Sequence, residues 1–180
     1  MNVRPGLKDV AAHASVSHTR IAFVGRDERF TTIVERAKGY EQVLVEHDIE
    51  FDPALSPLSA SEAGTAKTVT TMLLGLSQPP TAIFAANPRA GMGVVDALQG
   101  LKRTDVALIS FGDFSLAGVF EPGVTCIDQA PSRIGKAAIE RLTHLMGSPV
   151  TTPEEVLIGT ELLERGSGEL PPGPNRKGKS

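Results

Sequence analysis

From Arg20 onward, apolar runs of β character alternate with amphipathic stretches of helical period. A chain patterned this way folds as α/β, a parallel sheet with helices on both faces. Ile21-Ala-Phe-Val24 is the first run, closed by Gly25 and the charged loop Arg26 to Arg29. Thr32-Ile-Val-Glu35 has capping-box spacing, in which a hydroxyl and a carboxylate satisfy free N–H groups of a first helical turn. Ile33, Ala37, Tyr40 and Leu44 then mark one buried helical face as far as about His47. A short strand at Ile49 to Phe51 and a loop with Pro53 and Pro57 lead to a second capping box, Ser59 to Glu62, and a helix bearing Ala66, Val69, Leu73 and Leu76. Pro79-Pro80 ends that unit, and Thr81 to Ala86 reads as a strand buried on both faces. Asn87 as N-cap and Pro88 at the first helical position predict a helix to about Leu98, stopped by Gly100. Strands follow at Val106 to Ser110 and Val124 to Ile127, then a helix from Ser132 to Met146 and a last strand at Glu155 to Ile158. The tail from Gly166 to Ser180 is rich in Gly, Pro and Lys without an apolar period and is expected to be disordered.

Composition narrows the function classes. At 180 residues the chain can bury a core as one domain or two small lobes. With 41% hydrophobic and 22% charged residues, a soluble domain fits better than disorder or a membrane protein. The formal net charge of −3 argues against a general nucleic-acid binder, so any DNA contact must come from a local motif. Cys126 has no second cysteine to pair with, and Met1 to His13 lacks an apolar core of signal-peptide length, which together point to the bacterial cytoplasm. Cys126 reads as a small buried strand residue rather than a nucleophile. His13, His18, His47 and His144 are scattered without metal-ligand spacing, and neither a metal nor another cofactor is expected. Gly91-Met-Gly93 falls inside a predicted helix and lacks the strand-to-turn context of a dinucleotide loop. Asp27, Glu28 and Glu35 suggest paired carboxylates at first sight, but charges in a loop and a helix's first turn are ordinarily solvated or dipole-favoured. No nucleophile stands with a base, and an enzyme is not expected.

Five segments stand in the order and approximate spacing of the LacI/GalR-type bacterial transcriptional regulators: Arg20-Ile-Ala-Phe-Val-Gly25, Glu35-Arg-Ala-Lys-Gly-Tyr40, Pro80-Thr-Ala-Ile-Phe-Ala-Ala-Asn87, Ile109-Ser-Phe-Gly-Asp113 and Thr125-Cys-Ile-Asp-Gln129. Residues 20–165 thus resemble mostly one lobe of that family's periplasmic-binding-protein-like effector domain. Leu7-Lys-Asp-Val-Ala-Ala-His-Ala-Ser-Val-Ser17 resembles the first helix and turn of its helix-turn-helix, which makes residues 1–19 a short helical remnant. In the family a recognition helix, a hinge and a further lobe come next, whereas here His18-Thr19 lead straight into Arg20. The resemblance therefore implies a truncated regulator that keeps an effector-sensing portion. DNA binding is impaired in it, with Lys8 and Ser17 as the remaining DNA-contact candidates.

By the same resemblance a small-molecule effector, a sugar or related metabolite, is contacted by Arg36, Asn87, Asp113 and Gln129. Arg36, in the first turn of its helix, offers a forked guanidinium to hydroxyls or a carboxylate, and a surface salt bridge explains it as well. Asn87 is equally accounted for as an N-cap, and Gln129 as an ordinary strand-end amide. Two positions depart from the family pattern. Gly112 stands where many members carry the first of two aspartates, leaving Asp113 as the second, and Pro88 stands where an aspartate commonly follows the asparagine. Phe111 or Phe114 can stack on an apolar ligand face or pack in the core.

Two other classes stay open on the residues alone, a free-standing sugar-binding module of periplasmic type and a small flavodoxin-like enzyme. The missing signal peptide and the head-like Leu7 to Ser17 weigh against the first, and the lack of a phosphate-cradling loop against the second. The helix Ser132 to Met146 carries Ile134, Ala137, Ala138, Leu142 and Leu145 on one side, and in family members it packs in the lobe this chain mostly lacks. It is expected to fold back on the sheet or, because its connections are short, to pair with a second copy in a homodimer.

Overall fold

The computed structural model describes residues 18–58, 61–147 and 155–173. The helix-turn-helix-like segment with Lys8 and Ser17, and Ser59 of the second expected capping box, lie outside them. In chain order the elements are β1 (Ile21–Val24), α1 (Thr31–Glu46), a 3-10 turn (Pro53–Leu55), α2 (Ala63–Leu74), β2 (Ala82–Ala85), α3 (Pro88–Gly100), β3 (Ala107–Phe111), β4 (Thr125–Asp128), α4 (Pro131–Gly147) and β5 (Glu161–Leu163). The strands form one sheet in the order β1-β2-β3-β4-β5. The first four are parallel, and β5 returns antiparallel to β4 with Cys126 opposite Leu163.

Alternation along the strands builds two cores. Phe23, Phe84, Ile109 and Ile127 meet Ile33, Ala37, Tyr40 and Leu44 of α1 on one face. Ala22, Val24, Ile83, Ala85 and Leu108 meet Ala66 and Leu73 of α2 and Val94 and Leu98 of α3 on the other. Near-continuous apolar runs are what strands covered on both sides require. Tyr40 keeps its buried hydroxyl satisfied by donating to the Ile21 carbonyl at 2.8 Å. The two glycines of α3 have packing reasons rather than a cofactor role. A Cβ at Gly93 would run into the Ala63 carbonyl of α2, and one at Gly91 would stand 2.6 Å from the Ser110 hydroxyl.

Four local expectations are corrected. Thr32 does not cap α1, which starts at Thr31 with Phe30 as its N-cap and no side-chain cap bond; Ile33 N–H donates to the Phe30 carbonyl instead. Ile49 to Phe51 is no strand, because the left-handed Asp48 turns the chain back and Ile49 N–H is taken by the Leu44 carbonyl at 2.8 Å. The last strand lies at β5 rather than at 155–158, since only there does the chain run beside β4. Residues 166–173, expected to be disordered, are tied to the sheet. Ser167 donates its hydroxyl to the Leu108 carbonyl and accepts Thr125 N–H at 2.9 Å, and its own N–H goes to the Gly123 carbonyl. Hydrogen bonds to strand backbone, invisible to hydrophobic periodicity, order that segment.

Candidate functional site

In parallel sheets the open backbone groups and helix starts gather beyond the carboxyl ends of the strands, and small ligands bind there. Here that rim is formed by the ends of β1 to β4 with the α1 and α3 N-terminal turns. Gly25 lets the β1 end come close, since its φ of +111° is costly for other residues and a Cβ there would stand 3.0 Å from that of Ala86.

Arg36, in the second turn of α1 rather than the first, reaches across this rim. One Nη1 hydrogen goes to the Ala86 carbonyl at 3.0 Å, and the guanidinium carbon sits 3.8 Å from the centroid of the Phe111 ring. That stacking is a cation–π contact at close range. The side chain is half-buried, and desolvation pushes its pKa down. Among the described residues no carboxylate pairs with it, so the surface salt bridge open to this position is not formed.

Asn87 caps α3, its Oδ1 accepting Ala90 N–H at 2.9 Å, while its side-chain NH2 has no partner among the described residues. Pro88 follows at the first helical position. Gly112 closes β3 with φ +92° and donates its N–H to the Ile127 carbonyl. A Cβ on Gly112 would lie 2.7 Å from Pro88 Cγ and 3.1 Å from Gln129 Nε2, so Asn87-Pro88, Gly112 and Gln129 are immediate neighbours.

Asp113 is engaged otherwise. Arg165 forks onto it, Nη1 to Oδ1 and Nη2 to Oδ2, both at 2.7 Å, and Oδ1 also takes Phe114 N–H at 2.9 Å. The Arg165 guanidinium beside it holds the Asp113 carboxyl below the usual carboxylate range. Arg165 Nη1 further donates to the Val124 carbonyl, which clasps the end of β5 onto the β3–β4 loop. Phe111 belongs half to the α1 core and half to Arg36, whereas Phe114 packs in the opposite core.

Sequence reasoning missed Asp27. Read as a solvated loop charge, it is only 4% exposed, where it accepts both Nε and Nη2 of Arg29, Arg29 N–H and the Ser61 hydroxyl. Those donors hold its carboxyl far below the usual range, Arg29 foremost. The arrangement latches the β1–α1 loop to the segment before α2. The Asp-x-Arg spacing was its only signal in the sequence. Glu35 pairs with Lys38 on the surface of α1. Burial pushes the Cys126 thiol up to about 12, so it is no ready thiolate. Among the described residues no His, Cys, Asp and Glu gather as a metal-binding group, and no helix is long and apolar enough to cross a membrane.

Residues 10–168 match the family model described as periplasmic binding protein-like domain. The probable HTH-type transcriptional repressor ExuR of Bacillus subtilis (strain 168) is 27% identical over 153 residues, 83% of this chain and 46% of that protein. The crystal structure of a putative transcriptional regulator LacI from Bacillus cereus subsp. cytotoxis NVH 391-98 superposes with a TM-score of 0.81 at 25% identity, over 89% of this chain and 58% of that one. A CelR–cellobiose complex of a transcriptional regulator has the same fold, with a TM-score of 0.75 at 22% identity over 88% of this chain and 52% of the other. The chain spans about half the length of the curated relatives it matches. By its family match and its sheet, this chain belongs to the periplasmic binding protein-like domain family and is homologous to the LacI-family transcriptional regulators.

Proposed function

We propose that this chain is the effector-sensing part of a LacI-type regulator, acting in the cytoplasm as a binding module rather than an enzyme. The observation that carries the reading is Arg36, a half-buried guanidinium laid on Phe111 and tied to Ala86 beyond the strand ends, with no carboxylate partner among the described residues. Asn87 and Gln129 stand on the same rim and serve as flanking contacts to a small polar metabolite, a sugar or a relative of one. Asp113 serves the fold instead, as the anchor of Arg165. The domain division goes with this reading: residues 20–165 sense, and 1–19 are a helix-turn-helix remnant. His18 moves the boundary slightly, because it is buried against Thr81 and Leu170 at the other end of the sheet and so packs with the sensing part although it is numbered within 1–19. Operator recognition would need side chains on a helix in the major groove, which the step from Ser17 to Arg20 leaves no room for. Self-association belongs to the same proposal, through α4, which buries none of its residues.

Isothermal titration of the whole chain against mono- and disaccharides and their derivatives tests the reading. Binding of at least one member, weakened about tenfold or more in Arg36→Ala with an unchanged circular dichroism spectrum, is expected. Binding indifferent to Arg36→Ala and to Asn87→Ala would remove the site from the proposal.

A further inference from the structure

The donors and acceptors on the rim are unequal. Arg36 spends Nη1 on the Ala86 carbonyl, which leaves its Nε–Nη2 edge without a partner among the described residues. Asn87 has already committed its oxygen to Ala90 N–H and presents an NH2. Gln129 brings its own Nε2 next to Gly112. Of the carboxylates nearest in sequence to the rim, Asp27 is spent on Arg29 and Ser61 and Asp113 on Arg165, while Asp128 commits one oxygen to Ala130 N–H and Glu28 stands exposed in the β1–α1 loop. Position 112, where a side-chain acceptor would project beside Gln129, is a glycine with Pro88 against it. A hydroxyl that accepts from these donors still brings a hydrogen of its own to be placed. An anion offers acceptors alone. The free edge of Arg36 is the side of a guanidinium whose two parallel N–H bonds match the two oxygens of a planar carboxylate, and a half-buried cation strengthens such a pair.

We infer that the effector carries a carboxylate, held side-on by the Nε–Nη2 edge of Arg36 with the amide NH2 groups of Asn87 and Gln129 as flanking donors. The inference rests on the effector-site reading above and names the ligand class for it. Phe111 backs the guanidinium and fixes its plane, which makes Phe111 a positioning residue.

Matched pairs test it on the whole chain: D-glucuronate against D-glucose, D-galacturonate against D-galactose, D-gluconate against sorbitol, with inorganic phosphate as a non-planar anion, all by isothermal titration at fixed ionic strength. The acid of at least one pair should bind about tenfold or more tighter than its neutral twin and tighter than phosphate. Arg36→Ala should abolish that preference, and Arg36→Lys, which keeps the charge and loses the fork, should keep only part of it. Neutral twins binding as well as the acids, with both lost in Arg36→Ala, would overturn the carboxylate and leave the site standing. Binding untouched by Arg36→Ala would overturn both. Phosphate binding as tightly as the acids, or no acid binding at millimolar concentration, would overturn the carboxylate as well.

Discussion

Pro88 Cγ lies 2.7 Å from the point that a Cβ on residue 112 would occupy, so the two positions at which this chain departs from the family's acidic pattern are packed on each other. Neither can change freely. Gly112→Asp adds a side chain at φ +92° and drives it into the proline ring. Left-handed strain and overpacking together should cost about 2–4 kcal/mol. Pro88→Ala in the same chain should return about 1 kcal/mol, a coupling that a double-mutant cycle in urea would resolve. Additive effects of the two substitutions would show the contact to be energetically idle.

The Asp113–Arg165 fork should matter for stability and not for ligand contact. The two side chains are 34% and 25% exposed, so after solvent screening Asp113→Asn should cost only about 0.5–1 kcal/mol. Effector affinity should stay within about twofold. A loss of affinity of tenfold or more at unchanged fold would return Asp113 to the binding site.

Acid should weaken the fold through Asp27 and Asp113. Both carboxyls lie below their ordinary 3.8 in the folded chain, so their contribution is complete above that value and is lost as pH falls through the lower folded values. Urea titrations between pH 5 and pH 2 should show stability falling below about pH 4. Asp27→Asn should flatten that fall, and an unaltered slope would exclude the latch as its source.

His18 acts at milder pH. Burial lowers its pKa from the ordinary 6.5, and the neutral ring holds Thr81 and the Leu170 carbonyl at 2.8 and 2.9 Å. The unfolded chain therefore binds the proton more readily, and stability should rise with pH up to the unfolded value and fall as pH drops below about 6.5. Thermal unfolding from pH 8 to pH 5 should show a fall that His18→Gln removes; an identical profile in the variant would count against it.

α4 should bring chains together. Ile134, Ile139, Leu142 and Met146 are 45% to 83% exposed, and covering what each leaves open would contribute about 0.7–2.5 kcal/mol. Light scattering should find the wild type associated and Leu142→Asp shifted toward monomer. A monodisperse wild-type monomer, unchanged by the added charge, would show that α4 stays uncovered.

Operator reading should be absent. A fluorescence-anisotropy titration should give only weak, salt-sensitive binding, equal for an operator-like sequence and its scramble. Tight binding to one sequence at physiological salt would reverse this.

Apolar alternation and local start signals by themselves determined the four parallel strands, α3 with its Asn87 cap and the α1 face of Ile33, Ala37, Tyr40 and Leu44, because these rest on periods and caps that neighbouring residues set among themselves. Family resemblance put Arg36, Asn87, Asp113 and Gln129 in view. Tertiary structure alone decided what those residues are joined to. No local rule lays Arg36 on Phe111, 75 positions away, seats Pro88 in the space at Gly112, turns Asp113 toward Arg165 or binds Ser167 to β3. Such partners are chosen where strand ends and loops distant in sequence converge. There, hydrogen-bond geometry and the room left by a missing Cβ select the contacts, and neither is encoded by hydrophobic period.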